Sequence, residues 1–427
     1  MEAATPNIIE IELDASPDQV AEGLRHLPGM VFLDSSIADN SDSAGKDAAF
    51  SLVTACPTEL ITGNFFDAAD RRRLRVLWEE HRAPAEFSPD CGFPIGGLVG
   101  CIEYDGQFEF GCYPEMLIYD HRGDQWMETG GLSAQCDCLP ARGKAVREMN
   151  LNFETGVKRE RYCAMVEAAL AYIGAGDIYQ VNLSHRFRAD LPPGSLDAFS
   201  LHRKLRAISP SPHAAYLDTG RRQIVSSSPE QLLRISGNTI QTRPIKGTRP
   251  RFRDLERDEK SAYDLITSPK EIAELIMITD LERNDLGRVC EFGSVEATDL
   301  LKLERYAQVF HLVSTVQGTL RQEVDHIEAL HACFPGGSIT GAPKKRAREI
   351  ISELEPEPRG LYTGTIGCFG FNNESRFNIV IRTAILENDE IAFHTGAGIV
   401  ADSIPEMEWE ETWHKARGIL RACQSGV

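Results

Sequence analysis

The chain has 427 residues, 42% of them apolar, enough to bury a large core in two or three domains or in one composite α/β body. Its 64 Asp and Glu against 45 Lys and Arg leave a net charge of −19, which speaks against nucleic acid or an anionic membrane as partner and obliges an anionic substrate to find local cations or a metal. Eleven cysteines, none in a CxxC pair, suggest neither a disulfide framework nor a zinc site and fit a reducing cytoplasm. No basic, apolar leader is read at the start, and no apolar run reaches the ~18–20 residues of a membrane span.

Residues 1–150 read as short strands and turns with occasional helices, including strands in HLPGMVFLDSS and GGLVGCIEYD. The segment 136–150 is the boundary candidate between an N-terminal region, 1–150, and a second region, 151–427. From Lys158, apolar Tyr162, Met165, Val166, Ala169, Leu170 and Ile173 recur at helical spacing, and Gly174 ends that helix. IYQVNLSHRFRAD follows as a strand, then HAAYLD, RQIVSSSP, QLLRIS and TIQTRPIKG as an antiparallel meander. Residues 254–287 are mostly helical, 311–317 form a strand, and a helix lies near Ile327 to Ala332. The turn FPGGSITGAPKK leads into a helix ending near Leu354; strands TGTIGCFGF, RFNIVIRTAIL and EIAFHTGAGIV and a helix from Pro405 follow. Hairpin-like strand runs with interspersed helices favour an α+β fold with large antiparallel sheets over a doubly wound parallel one.

Two helical stretches carry paired carboxylates. In DSIPEMEWEETWHKARGIL, Ser403 and Glu406 form a predicted capping box, and Glu408, Glu411 and Lys415 share one face. Carboxylates ~4.5 Å apart along the axis suit a hard divalent cation such as Mg²⁺, although a solvated, ion-paired face is the commoner use of that spacing. In TSPKEIAELIMITDLERNDLG, Glu271 has a structural alternative as partner of Ser268 in a capping box. Glu274 has none, and beside the apolar run from Leu275 to Ile278 it is costly to bury without a partner.

Gly336, Gly337 and Gly341 place backbone N–H groups ahead of a helix start at Pro343, an anion site. A carboxylate is a better guest there than a nucleotide, because Ala342-Pro343 stand where a P-loop needs Lys-Ser/Thr. Glu230, after Ser-Pro at a strand-to-strand corner, is a general-acid candidate or a plain turn residue. His311 sits in an alternating strand, where a satisfied, half-buried histidine is the ordinary outcome. Arg382, in the middle of FNIVIRTAIL, wants an anionic partner. Lys246, in QTRPIKGTRPR, is by composition one loop cation among Arg243, Arg249 and Arg251.

In order, GDIYQVNLSHRF, SSSPEQLL, RPIKGTRPR, AELIMITDLERNDLGRVCEFGSV, HLVSTVQGTL, FPGGSITGAPKKRAREIISELE, FNIVIRTA and TGAGIVADSIPEMEWEETWHKARGIL resemble the chorismate-utilising enzymes, over about Lys158 to Leu420. The resemblance implies one large α+β body of two orthogonal antiparallel sheets flanked by helices, acting on the dicarboxylate chorismate with Mg²⁺. It implies Glu274 and Glu408 as metal ligands, with Glu271 and Glu411 reached through water. It implies a carboxylate cradle of Arg382, Tyr362, Lys415 and the backbone near Thr340, Gly396 and Gly398. Glu230 is the implied acid for the departing C4 hydroxyl, and His311 is similar to the family's active-site histidine.

Family members that hydrate C2 carry a lysine where this chain has Gln180. Members that make anthranilate usually read Pro-Ile-Ala-Gly-Thr where this chain reads Pro-Ile-Lys-Gly-Thr. The lysine form is similar to aminodeoxychorismate synthase component I, in which the amine adds at C2, the C4 hydroxyl leaves and ammonia enters at C4. That makes Lys246 the implied nucleophile, its proton made labile by burial and by cations such as Arg243 or the metal. No glutaminase segment is read in these residues, so ammonia is expected from a separate glutamine amidotransferase subunit. The alternatives are C2 amination to anthranilate, or a chorismate-binding subunit without activity. The family's tryptophan pocket uses Leu-Leu-Glu-Ser; this chain has Phe32-Leu33-Asp34-Ser35-Ser36, a departure that leaves tryptophan binding open.

Overall fold

The computed structural model describes residues 8–35, 50–82, 91–136, 151–192, 195–306 and 308–424; Ser36 and all but the first residue of 136–150 lie outside them. Among the described residues the strands form two antiparallel sheets, one of twelve strands and one of ten. Strand Gly97–Ile102 of the ten-stranded sheet is buried on both faces. Leu98 and Ile102 point into one apolar cluster and Val99 and Cys101 into another, as the two-residue period of a strand requires. In the twelve-stranded sheet Ile118, Ala215, Leu217 and Ile224 join Val99 and Cys101, while Leu117, Tyr216 and Val225 face the opposite way. The shared cluster is thus the layer between the sheets. Helices Ala68–His81 and His326–Cys333 cover the outer face of the ten-stranded sheet. Pro17–Leu24, Ala198–Ile208 and Pro405–Ala422 cover that of the other.

Strands from 1–150 and 151–427 interleave in both sheets. Val31–Asp34 pairs with His213–Asp218 in one, and Gly97–Ile102 with Thr365–Gly370 in the other. Strand Glu296–Arg305 was not expected from sequence; it pairs with Val309–Thr319 along a largely exposed edge, with only Glu304 buried. No helix among the described residues is long and apolar enough to cross a membrane. Among the described residues nine cysteines are free thiols, and Cys136 is disulfide-bonded.

Two expected strands divide, and the divisions build the site. TIQTRPIKG breaks at Pro244, which has no N–H to give a ladder, into Thr239–Arg243 and Ile245–Pro250, both paired with Val309–Thr319. RFNIVIRTAIL breaks into Glu374–Asn378 of the ten-stranded sheet and Thr383–Glu387 of the twelve-stranded one. Arg382 is therefore not in mid-strand. It stands at the crossing between sheets with φ 51°, a left-handed conformation that is costly for a residue with a Cβ. The meander crosses too, at Pro229-Glu230, between Gln223–Ser228 and Gln231–Ser236. The crossings lie side by side: Ile379 N donates to Glu230 O at 2.9 Å and Ser227 N to Arg382 O at 3.1 Å.

The helix starts were half legible. Ser268 caps Pro269–Gly287, its hydroxyl accepting from Glu271 N at 3.5 Å. The predicted Ser403–Glu406 box does not form. Ile404 is the N-cap of Pro405–Ala422, and Ser403 Oγ accepts from Val400 N at 3.1 Å instead.

Candidate active site

A cavity of about 570 Å³ opens where the two crossings meet helices Pro269–Gly287 and Pro405–Ala422, a size that suits a small organic ligand. Eleven of the thirteen candidate residues line it: Glu230, Lys246, Glu271, Glu274, His311, Tyr362, Arg382, Gly396, Gly398, Glu411 and Lys415. Thr340 and Glu408 are not on its walls. Thr340 is wholly buried, and its hydroxyl donates to Gly336 O at 2.7 Å. Glu408 is 5% exposed, on the buried side of its helix.

Glu230 is buried at its crossing, and burial pushes its carboxyl up. The Ser338 hydroxyl, Lys246, and Ile245 N at 3.5 Å from its Oε1 oppose the rise without cancelling it. A carboxyl so placed holds its proton longer than an exposed one, as a general acid must. The Arg382 guanidinium has no hydrogen-bond or ion-pair partner among the described residues; burial lowers its pKa, and the charge favouring its cationic form is Glu230. Burial pulls His311 down to about 4, with Arg382 adding to the shift, so the ring is neutral at pH 7; its Nδ1 pairs with Thr248 Oγ1 at 3.0 Å.

Lys246 Nζ donates to Ser338 O at 3.4 Å and takes part in no ion pair among the described residues. Arg243 is not the bare neighbouring cation expected from sequence, because its guanidinium is bonded to Glu304. Arg249 was expected on an exposed turn; it lines the cavity 3.5 Å from Glu271. Lys415 Nζ donates to Gly396 O at 2.9 Å and pairs with Glu411 at 2.7 Å. A Cβ on Gly396 would stand 2.6 Å from Leu183 O, a backbone atom, so the wall admits only glycine there; one on Gly398 would stand 2.9 Å from Gln180 Nε2. Gln180 is fully buried, its side-chain amide unpaired among the described residues.

The glycine turn differs from the anion site expected of it. Gly337 N is taken by the carboxylate of Glu282 at 3.1 Å, and Thr340 N and Gly341 N donate to Gly337 O. The chain's own acid occupies the place reserved for a ligand.

The four helix glutamates offer the hard oxygen donors that Mg²⁺ prefers. Burial pushes Glu274 up, with Glu271 and Glu411 adding to it against Lys246 and Lys270; burial pushes Glu408 up, again with Glu411 adding. Buried carboxyls that repel one another fit a cation between them. Glu274 now stands 3.9 Å from Lys270, and among the described residues no three such groups converge on one point, so these side chains would have to turn to share an ion. Lys270, Thr248, Ser338 and His394 also line the cavity and were not singled out from sequence. His394 stacks on Tyr362 at 5.4 Å, and no local motif distinguishes it from any strand histidine.

Asp34 and Ser35 reach a second, smaller cavity between the sheets, shared with His213 and Arg376. It holds about 60 Å³, well below the roughly 300 Å³ at which small-molecule pockets begin and too little for an indole side chain as it stands.

The family model of the chorismate binding enzymes matches residues 101–421, and the chain belongs to that family. It is 46% identical over 365 residues to aminodeoxychorismate synthase component 1 of Bacillus subtilis, covering 77% of each chain. It is 38% identical over 390 residues to anthranilate synthase component 1 of Thermus thermophilus, covering 83% of each. Anthranilate synthase component I from Streptococcus pneumoniae superposes with a TM-score of 0.77 at 30% identity, over 87% of this chain and 92% of that one. The menaquinone-specific isochorismate synthase of Escherichia coli, at 19% identity, shares the fold with a TM-score of 0.76 over 98% and 95%. The architecture is that of anthranilate synthase component I, and the chain is a chorismate-utilising enzyme.

Proposed function

We propose that this chain aminates chorismate at C4 with ammonia, giving 4-amino-4-deoxychorismate. The observation that carries the proposal is the setting of Lys246. Its nitrogen reaches into the cavity among Glu230, Glu274 and Glu411, yet its one hydrogen bond among the described residues goes to a carbonyl. An amine so held can lose its proton without breaking an ion pair. The similarity to the Bacillus subtilis component supports the same reading.

In this mechanism the neutral Lys246 amine adds at C2 of the ring. The two ring double bonds shift, and the C4 hydroxyl leaves as water with the proton of Glu230. Ammonia then adds at C4, the double bonds shift back, and the C2 bond to Lys246 breaks, restoring the amine. Arg382, Lys415 and Tyr362 hold the substrate carboxylates, and neutral His311 donates or accepts a hydrogen bond without adding charge. Glu274 and Glu408, with Glu271 and Glu411 through water, would hold Mg²⁺, which when bound would neutralise the ring carboxylate. The ammonia comes from a separate glutamine amidotransferase, a division of labour that the name "component 1" of both relatives supports.

The 38% identity to an anthranilate synthase component over 83% of the chain favours one second reading, amination at C2 with release of pyruvate. Incubation with chorismate, Mg²⁺ and ammonium, with products identified by mass, separates the two. The wild type is expected to yield 4-amino-4-deoxychorismate, and Lys246→Ala to lose it. Anthranilate with pyruvate would establish the second reading; an unchanged product and rate in Lys246→Ala would remove the lysine from the mechanism. Chorismate binding without turnover would mark a subunit that has lost its activity.

A further inference from the structure

We infer that Glu282 is a positioning residue, which holds the glycine turn at Gly337 and so sets Ser338 against Lys246 and Glu230. The inference rests on the catalytic roles proposed above. Glu282 lies on helix Pro269–Gly287, two turns beyond Glu274, outside the cavity wall and 2% exposed. Its Oε1 accepts from Gly337 N at 3.1 Å, and its Oε2 has no partner among the described residues. A buried carboxyl with an idle oxygen is a cost to the fold, so its use has to be sought in what it holds.

What it holds is the Gly336–Gly337 peptide, one residue ahead of Ser338. Ser338 O takes the hydrogen bond of Lys246 Nζ at 3.4 Å, and the Ser338 hydroxyl, though without a partner of ordinary geometry, lies close enough to Glu230 to lower that acid's pKa. Gly337 O, on the same residue, takes Thr340 N at 3.2 Å and Gly341 N at 3.1 Å. A Cβ on Gly337 would stand 2.4 Å from Leu281 Cδ2 and 3.1 Å from Glu282 Oε1, so the turn rests directly on the helix. On the other side of Ser338, Arg359 Nη1 holds Ile339 O at 3.1 Å. Ser338 therefore hangs between two side-chain anchors, Glu282 before it and Arg359 after it. Slackening the first lets the carbonyl under Lys246 drift.

The charges around Glu282 support an acceptor that holds its proton for much of the time near neutral pH. Burial pushes it up to about 7, with Asp285 and Glu230 adding to the rise and Lys344 and Gly337 N opposing it. Asp285 is itself bonded to Lys344 at 2.5 Å, and the nearby Cys333 thiol is raised by burial and stays protonated. A protonated carboxyl still accepts through its carbonyl oxygen, so the bond to Gly337 survives in either state.

The test compares Glu282→Gln, which keeps an acceptor, with Glu282→Leu, which fills the space and removes it. Steady-state consumption of chorismate with Mg²⁺ and ammonium gives kcat and KM across pH; hydrogen exchange of the peptide from Phe334 to Thr340 gives the order of the turn without any activity. For Glu282→Leu, kcat falls about 10- to 100-fold while KM stays within about threefold, since the carboxylate cradle is built elsewhere. Its Gly337 amide exchanges at least about tenfold faster. Glu282→Gln restores both to within about threefold and removes any inflection near pH 7 that Glu282 contributes. Equal loss in both variants, or a Leu variant matching wild type in kcat and exchange, overturns the proposal. Should the product prove to be anthranilate, the C4 reading fails while the contrast in consumption still decides Glu282; without turnover, the exchange contrast decides it.

Discussion

Replacing Arg382 by glycine separates what its side chain does from what its backbone does. The guanidinium is unpaired among the described residues and faces the cavity. A charge-assisted hydrogen bond to a carboxylate contributes about 1.5–3 kcal/mol. Its loss weakens chorismate binding about 10- to 150-fold at ~1.4 kcal/mol per decade. The backbone term has the opposite sign. At φ 51° a residue with a Cβ is strained, by about 1–2 kcal/mol, which glycine relieves against a chain-entropy cost of about 0.5–1 kcal/mol. Removing a cation that burial disfavours adds to the relief. The variant is expected to bind chorismate weakly and to melt at or above the wild-type temperature. Calorimetric titration with chorismate in the absence of ammonia, beside a thermal scan, reads both terms. Affinity within twofold of wild type refutes the anion-receptor role, and a sharp fall in melting temperature shows the guanidinium to be a structural brace.

Glu230→Gln should lower kcat by about 10²–10⁴-fold with chorismate affinity retained, measured by single-turnover kinetics beside titration. Because burial raises Glu230, its acid form persists above the usual carboxylate range and is lost as pH climbs through the raised pKa. The basic limb of kcat should therefore reflect it and be missing from whatever activity remains in Glu230→Gln. Arg359, 4% exposed, bonds Glu355, Asn182 O, Ile339 O and Thr363. Arg359→Met strands the Glu355 carboxylate and should cost about 3–5 kcal/mol in denaturant unfolding, whereas an unchanged midpoint would show that the network carries no stability. Tryptophan should neither bind in calorimetry nor inhibit, given the 60 Å³ cavity beside Asp34 and Ser35; a micromolar Kd would mean that this cavity opens.

The sequence revealed the elements better than their breaks. Helix Arg159–Gly174 and the second half of strand Gln180–Asp190, where buried Phe187 and Ala189 alternate with exposed Arg188 and Asp190, are legible because one side of each is packed, so period and burial coincide. The corner at Pro229-Glu230 was legible from its Ser-Pro, though not as a change of sheet; the crossing before Thr383 was not legible at all, because the chain stays apolar as it leaves one buried sheet for the other, and FNIVIR shows no gap in hydrophobicity where the strand ends. Site chemistry was visible where the residue type is unusual for its setting: an arginine in an apolar run, a glutamate beside Leu275. It was invisible where the role depends on what a neighbour does. Glu282 looked like one more acid of LERND, because the turn it holds lies 55 residues later in the chain.

The charge of the cavity resolves the difficulty set by a net charge of −19. Among the groups on its walls, Arg249 meets Glu271, Lys270 meets Glu274 and Lys415 meets Glu411, three pairs that cancel. Glu230, its carboxyl pushed up by burial, leans toward its uncharged form. What remains is Lys246 and Arg382, two cations facing a ligand with two carboxylates. The balance explains why Lys246 can be spared from ion pairing in an acidic protein, and it sets a condition on the chemistry. In the mechanism proposed above Lys246 gives up its proton to become a nucleophile, and one substrate carboxylate then loses its counter-charge. The carboxyls of Glu274 and Glu408, raised by burial and by their acidic neighbours, are where a divalent cation would restore it. Chorismate affinity measured with and without Mg²⁺ should then depend on the ion more steeply in Lys246→Met, which carries no charge, than in the wild type; equal dependence in the two would break this link between the lysine and the glutamates.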